Sequence, residues 1–381
     1  MPQSHSQSAT DPAEVTVRKA VIGDLDAIMT LEVQSFDHDR LSRRSLRHLL
    51  TRSSASCLVA ELSGRLVGYT VVLFRQGTAV ARLYSIAVDP NHRRKGIGPA
   101  LITAAEGEAF DHDCLFLRLE VRSDNAAAIA LYEKHGYRQF GRHLDYYMDH
   151  TEALRYEKRV SGAIPAHIQS PPYYAQTTDF TCGPAAMIMA LAATGSDITV
   201  NRGLELRLWR EATTIFMPGG LGGCEPFGMA VALARHGAEP EVWINNDAPF
   251  FVDSVRNQAK QDVMRITQED FRDMAEDMGI PVRRRLANRR NLLPALTEGS
   301  IAIVLISGYR MLRERTPHWI LAYGADQDHI YVHDPWVGEE NLETAVAAAK
   351  LPIPWPEFER MARQGRERRS AAILIRKDKT L

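Results

Sequence analysis

The run Val-Asp-Pro-Asn-His-Arg-Arg-Lys-Gly-Ile-Gly-Pro-Ala-Leu at residues 88–101 constrains the fold more than any other stretch of this chain. It reads as the end of a strand, a tight glycine loop and the start of a helix. Gly96 and Gly98 leave room for the backbone to approach a ligand, and the helix behind them offers unpaired N–H groups and the positive end of its dipole. Arg93, Arg94 and Lys95 add positive charge at the rim, and Pro99 suits a first helical turn, where no donor is missed. Strand, loop and helix together predict an α/β unit that cradles a pyrophosphate.

At about 150 residues per domain, a chain of 381 residues predicts two domains. A net charge of −1 gives no global attraction to nucleic acid or to an anionic membrane, so neither is an expected partner. The arginine runs at 283–285, 289–290 and 366–369 lack interleaved aromatic residues and read as solvated surface. Cys57, Cys114, Cys182 and Cys224 form no CxxC pair and no zinc spacing; a reducing cytoplasm and no metal are expected. Residues 1–13 are rich in Ser and Gln, which predicts a disordered tail and no signal peptide, and no apolar run approaches a membrane span.

In the first half, residues 15–20 read as a strand and 24–31 as a helix with apolar positions at helical spacing. Strands at 57–61 and 66–72 flank a Ser63-Gly64 hairpin turn, and a further strand at 83–88 leads into the glycine loop. Residues 115–122 alternate: Leu115, Leu117, Leu119 and Val121 face one side, and Phe116, Arg118, Glu120 and Arg122 the other. Glu120 is then either a strand carboxylate paired with Arg118 or Arg122, or a proton acceptor. Ser123-Asp124-Asn125 caps a helix that Gly136 ends, and Tyr132 on it is either a packed aromatic or a proton donor. The last two strands are expected at 142–148 and 153–158.

Arg93-x-x-Gly96-x-Gly98 after a strand resembles the acetyl-CoA loop of the GNAT N-acetyltransferases. A second signature, Leu119-Glu120-Val121-Arg122-Ser123-Asp124-Asn125 followed by Leu131-Tyr132-Glu133-Lys134-His135-Gly136-Tyr137, looks most like the subgroup that acetylates the N-terminal amine of a ribosomal protein. The resemblance spans about residues 15–160. It implies acetyl-CoA held along Ile86, Val88, Arg93, Arg94, Lys95, Gly96 and Gly98, with Asn125 in support, and a peptide or protein substrate with a free amine. An attacking ammonium must lose a proton and a departing thiolate must gain one; the resemblance assigns these roles to Glu120 and Tyr132.

In the second half, Gln176-Thr177-Thr178-Asp179-Phe180-Thr181-Cys182-Gly183-Pro184 places Cys182 just ahead of a helix. A helix N-terminus favours negative charge and so prepares a thiolate. Gln176 could turn its amide toward an oxyanion. Strands at 301–306, 317–323 and 329–335 follow. If the last two form a hairpin centred on Asp326, His318 and Asp334 face each other across the ladder, as an imidazole held by a carboxylate. Cys224, beside the glycine run 219–223, is the second thiol to weigh, and that run reads as a mobile flap.

Gln176, Cys182, His318 and Asp334 resemble the oxyanion glutamine, nucleophile, base and orienting aspartate of the papain-like cysteine peptidases that cleave double-glycine leaders from bacteriocins. The resemblance spans about residues 165–375, with room for an insertion within 240–290. The expected class is α/β (α+β): a disordered tail at 1–13, a GNAT domain with a central mixed sheet at 14–160, a linker at 161–170, and a papain-like peptidase domain at 171–376. In the last, a helix carries the cysteine and an antiparallel sheet the His and Asp. The implied activities are acetyl transfer to an amine and cleavage of a peptide precursor. An inactive peptide-binding module and a thiol acyltransferase or amidase stay open for the second domain.

Overall fold

The computed structural model describes residues 15–36, 39–162, 168–214, 222–309, 316–337, 348–365 and 367–376. The chain separates into two compact units, Met1–Ala163 and Ile164–Leu381. The expected tail at 1–13, residues 163–167 of the expected linker and residues 219–221 of the expected flap lie outside the described residues.

The first unit runs β1 (Val15–Lys19), α1 (Leu25–Ser35), α2 (Arg43–Thr51), β2 (Ala55–Leu62), β3 (Arg65–Phe74), β4 (Val80–Val88), α3 (Ile97–Asp111), β5 (Phe116–Arg122), α4 (Ala126–Lys134), β6 (Arg138–His143) and β7 (Ala153–Arg159). Its sheet has the order β1-β2-β3-β4-β5-β7-β6, and β4 and β5 are parallel. Helices α1 and α2 bury Ile28, Leu31, Leu46 and Leu49 against one face of β2–β4. Helix α3 buries Ile102, Ala105 and Ala109 on the opposite face, together with Leu117, Leu119 and Val121 of β5 and Tyr132 of α4. Helix α2 was absent from the sequence reading, although its signal is local: Ser42 caps it, and Leu46 and Leu49 recur at helical spacing.

The strand expected at 142–148 is corrected to Arg138–His143. Strand β7 inserts between β5 and β6 and pairs with residues 138–143. The following segment leaves the sheet, so that Tyr146 accepts a hydrogen bond from Arg82 (2.8 Å) and the Tyr147 ring lies 5.0 Å from the Arg122 guanidinium.

The second unit runs α5 (Cys182–Ala193), α6 (Arg202–Ala212), α7 (Pro226–Arg235), β8 (Pro240–Ile244), α8 (Gln258–Asp277), β9 (Val282–Arg284), α9 (Arg289–Thr297), β10 (Ile301–Ser307), β11 (Pro317–Ala325), β12 (His329–His333), β13 (Leu351–Pro354), α10 (Trp355–Met361) and β14 (Ala371–Ile375). The sheet order is β13-β12-β11-β10-β14-β8-β9, antiparallel except at β8–β9. Helix α5 is apolar on every side, which suits a helix buried all round. It packs with α6 and α7 on Ile303, Leu305, Trp319 and Leu321 of the sheet.

The β11–β12 hairpin forms, turning where Asp326 Oδ1 accepts the N–H groups of Asp328 and His329. Its register differs from the expected one. Leu321 lies opposite His333, and Tyr323 is an extra residue in β11 between the Ala322–Val332 and Gly324–Tyr331 pairs. Continued one step, that register sets Asp334 opposite Ile320, so His318 lies diagonal to Asp334. The offset of two keeps both residues on the same face, because side-chain direction repeats every second residue.

Candidate functional sites

In the first unit, pairing between β4 and β5 covers Val80–Phe116, Ala81–Leu117 and Arg82–Arg118 only, although the strands run on to Val88 and Arg122. A bulge at Tyr84, between the Val71–Ser85 and Val72–Leu83 pairs, lies where the strands part. Beyond Arg82 one edge of β4 has no strand partner among the described residues, and this stretch carries Ile86 and Val88. Next comes the loop, whose start Asp89 ties down by accepting from the Asn91 N–H and pairing with the His92 ring, each at 2.9 Å. Arg94 and Gly96 take left-handed conformations, φ 62° and 78°. Helix α3 starts with no side-chain cap and no acidic residue in its first turn, and Arg93, Arg94 and Lys95 are exposed beside it.

Glu120 is nearly buried and held by arginines of neighbouring strands. Its Oε2 lies 2.7 Å from Arg82 of β4 and its Oε1 3.8 Å from Arg155 of β7. The partners considered from sequence are engaged elsewhere: Arg118 with Glu157, and Arg122 with Asp124 and Asp149. Tyr132 is 5% exposed and packs edge to face on Tyr137; burial pushes its hydroxyl pKa well up, so it keeps its proton at neutral pH. Asn125 caps α4 by accepting the Ala128 N–H at 3.1 Å. Tyr147, which the sequence reading did not single out, packs edge to face on Tyr146 and lies over the Arg122 guanidinium. Burial first, then Tyr146, Glu120 and Tyr132 raise its pKa, against the pull of Arg122.

In the second unit, Cys182 is the first residue of α5, which also lacks a side-chain cap and a first-turn acid. His318 Nε2 and Asp334 Oδ1 are 2.6 Å apart, and both residues are buried. Asp334 Oδ1 also accepts the Trp336 N–H at 2.9 Å, which fixes the carboxylate. The imidazole reaches Cys182. Burial pushes the Cys182 thiol up, but the His318 hydrogen bond and charge, with the Trp319 and Gly183 N–H groups, outweigh it and hold the thiol below its ordinary value. His318 moves the other way: burial draws it down, and Asp334 and Cys182 more than reverse this. The two opposite shifts favour a thiolate beside an imidazolium. Removing one member of such a buried pair costs about 3–5 kcal/mol.

Cys224 is a neighbour of a different kind. Burial, and then Cys182, push its thiol far up, so of the two thiols Cys182 is the one favoured as thiolate. The Trp319 indole donates to the Cys224 carbonyl at 3.0 Å, and a Cβ on Gly183 would meet Cys224 at 3.1 Å, which leaves glycine the residue that fits there.

Gln176 donates its backbone N–H to the Pro335 carbonyl (2.9 Å), which ties its loop to the segment carrying Asp334. Its side-chain Nε2 donates to the Thr178 carbonyl at 2.8 Å. The residue that builds this loop, and that the sequence reading missed, is Glu205 of α6. Fully buried, it accepts the Thr177 N–H (2.8 Å), the Thr177 hydroxyl (2.7 Å) and the Tyr174 hydroxyl (3.0 Å). A sequence signal existed: Glu205 interrupts the face on which Leu204, Leu208 and Ala212 are buried.

Comparisons with known proteins match two stretches of the chain separately. Residues 171–376 match the Peptidase_C39 like family, and residues 25–137 match the acetyltransferase (GNAT) family. The putative ribosomal protein bS18 alanine N-acetyltransferase of Bacillus subtilis (strain 168) is 30% identical over 139 residues, 36% of this chain and 91% of that protein. The bS18 alanine N-acetyltransferase of Escherichia coli (strain K12) is 45% identical over 67 residues, 18% of this chain and 45% of that protein, so the match spans under half of that relative. The crystal structure of the ribosomal-protein-S18-alanine N-acetyltransferase from Escherichia coli superposes with a TM-score of 0.37 at 26% identity, covering 40% of this chain and 98% of that one.

Proposed function

The chain belongs to the Peptidase_C39 like family through its second half and carries a GNAT acetyltransferase domain in its first, and from that premise we propose a two-activity enzyme of the cytoplasm: an N-acetyltransferase for the terminal amine of a peptide or protein, joined to a cysteine peptidase. The observation that carries the peptidase reading is the buried His318–Asp334 pair at 2.6 Å with a lowered Cys182 thiol beside it.

In the first unit the uncapped start of α3, the left-handed Arg94 and Gly96 and the three cations fit the diphosphate of acetyl-CoA. Bound there, acetyl-CoA supplies an activated acetyl group. The unpartnered edge of β4 at Ile86 and Val88 orients the rest of the molecule toward Glu120. Glu120 takes a proton from the attacking amine, and Tyr132 gives its proton to the departing thiolate. A terminal α-amine, with a pKa of about 8, loses a proton far more readily than a lysine at about 10.4, which favours chain termini as acceptors.

In the second unit Cys182 Sγ attacks the carbonyl carbon of the scissile bond, and the carbonyl electron pair moves to oxygen. The Gln176 amide donates to that oxyanion. The C–N bond then breaks and the leaving amine takes the proton held by His318, while Asp334 keeps the imidazole oriented. His318 next takes a proton from water, whose oxygen joins the acyl carbon and frees Cys182. Each cleavage exposes a terminal amine, the group the first unit consumes.

The test is mass spectrometry of peptide termini after the protein is incubated with acetyl-CoA and a denatured-proteome peptide mixture. New termini are expected with the wild type and absent with Cys182→Ser, and a share of them should be acetylated unless Tyr132 is changed to Phe. New termini that persist in Cys182→Ser would refute the peptidase assignment; acetylation unaffected by Tyr132→Phe would refute the acid assignment.

A further inference from the structure

On the face of the first unit's sheet that carries Glu120, β4, β5 and β7 bring together three guanidinium groups and two carboxylates. Arg82 pairs with Glu120 at 2.7 Å, and Arg118 pairs with Glu157 at 3.1 Å. Arg155 is left over. It is 3% exposed, its only ion pair is the 3.8 Å approach to Glu120, and its Nε is buried with no hydrogen-bond partner among the described residues. A guanidinium keeps its charge at neutral pH and carries five N–H donors, so burying its Nε–H without an acceptor is unfavourable unless an anion completes the site.

The surroundings are shaped around this group. The Phe140 ring stacks 4.4 Å from the Arg155 guanidinium, and a Cβ on Gly141 would crowd Nη1 at 3.3 Å. The charged groups that bear on Arg155 are Glu120 and Glu157, which attract it, and Arg118 and Arg82, which repel it. With burial as the largest influence, its pKa falls to about 9. With Arg82 on Glu120 and Arg118 on Glu157, Arg155 has no carboxylate of its own at hydrogen-bond distance among the described residues, a place one further anion would fill. Glu120, the proposed proton acceptor, adjoins Arg155, so that anion would stand within a few bonds of the reacting amine.

We propose that Arg155 anchors an acceptor subsite for a carboxylate carried beside the reacting amine, which makes acidic acceptors the preferred substrates of the acetyltransferase. The inference rests on the transferase reading above. Two sources offer this chemistry, the side chain of an N-terminal Asp or Glu and the α-carboxylate of a free amino acid.

Coenzyme A release would be measured with tetrapeptides identical except for Asp, Glu, Ala or Lys at the first position, and with free glutamate and free alanine. A charge-assisted hydrogen bond predicts kcat/KM for the Asp or Glu peptide about ten- to a hundredfold above the Ala peptide. That ratio should collapse toward one in Arg155→Gln and recover in part in Arg155→Lys. Free alanine rivalling the acidic peptides would identify the α-carboxylate as the source; its failure beside an active Asp peptide would identify the side chain. Glutarate should compete with the Ala peptide on the wild type, a readout that needs no variant. Equal turnover of all tetrapeptides, a preference for Lys, no competition by glutarate, or a ratio unchanged in Arg155→Gln would overturn the subsite while leaving the transferase standing. Turnover of none of the acceptors would overturn both.

Discussion

Helices α3 and α5 begin alike and do opposite things with the same physics. Neither has a side-chain cap or an acidic residue in its first turn, whereas α2, α4, α6, α7, α8 and α9 are capped by Ser42, Asn125, Asn201, Glu225, Asn257 and Asn288. An uncapped start leaves N–H groups and positive potential to be satisfied. At α3 the start is exposed, flanked by glycines and cations, and open to an anion from outside. At α5 the start is largely buried and its first side chain is Cys182, whose lowered pKa beside His318 favours an anion supplied by the chain itself. Exposure decides whether a helix terminus becomes a binding site or an activating device.

The largest expected effect tests the internal anion. Reactivity of Cys182 toward iodoacetamide, followed against pH, reports its thiolate. Since its pKa is lowered, the wild type should alkylate below the ordinary thiol pKa of about 8.5. Changing His318 to Ala removes the cation, so the profile should move to higher pH, and the rate near pH 6.5 should fall about tenfold for every pH unit the profile moves. An unmoved profile would mean that the helix and backbone N–H groups alone hold the thiolate.

Next in size is the loop at α3. Gly96 has φ 78° and open space where a Cβ would stand, so Gly96→Ala meets no clash and strains only the backbone, by about 1–2 kcal/mol. The KM for acetyl-CoA should rise about tenfold while peptide cleavage stays unchanged. If cleavage falls as KM rises, the substitution has disturbed more than the loop.

The smallest effect separates surface from core electrostatics. Lys95→Gln should raise the KM for acetyl-CoA about twofold and weaken its dependence on salt, because exposed charges are screened over about 8–10 Å at physiological ionic strength. The alkylation rate of Cys182 should be nearly indifferent to salt. A salt-sensitive Cys182 would place its counter-ion in solvent instead of the core.

Much of this was legible in the sequence because it is local. The strand, loop and helix around Gly96, the cysteine at a helix start and the β11–β12 hairpin each depend on residues within a few positions of one another. Helix α2 was equally local and was overlooked. What sequence left open was partnership across strands. Glu120 had Arg118 and Arg122 as near neighbours in sequence, but they occupy its own strand, and its guanidinium partners Arg82 and Arg155 come from β4 and β7.

The amino-acid sequence by itself determined where two helix starts stand ready for negative charge, since glycine, proline and cysteine act through the backbone at their own positions. Only the tertiary structure decided which charges meet. The Tyr323 bulge sets His318 diagonal to Asp334, Glu205 reaches from α6 to hold the Gln176 loop, and strand order leaves Arg155 buried beside Glu120. Such contacts depend on register and strand order, which arise from burying whole faces at once, and a spacing read along the chain does not contain them.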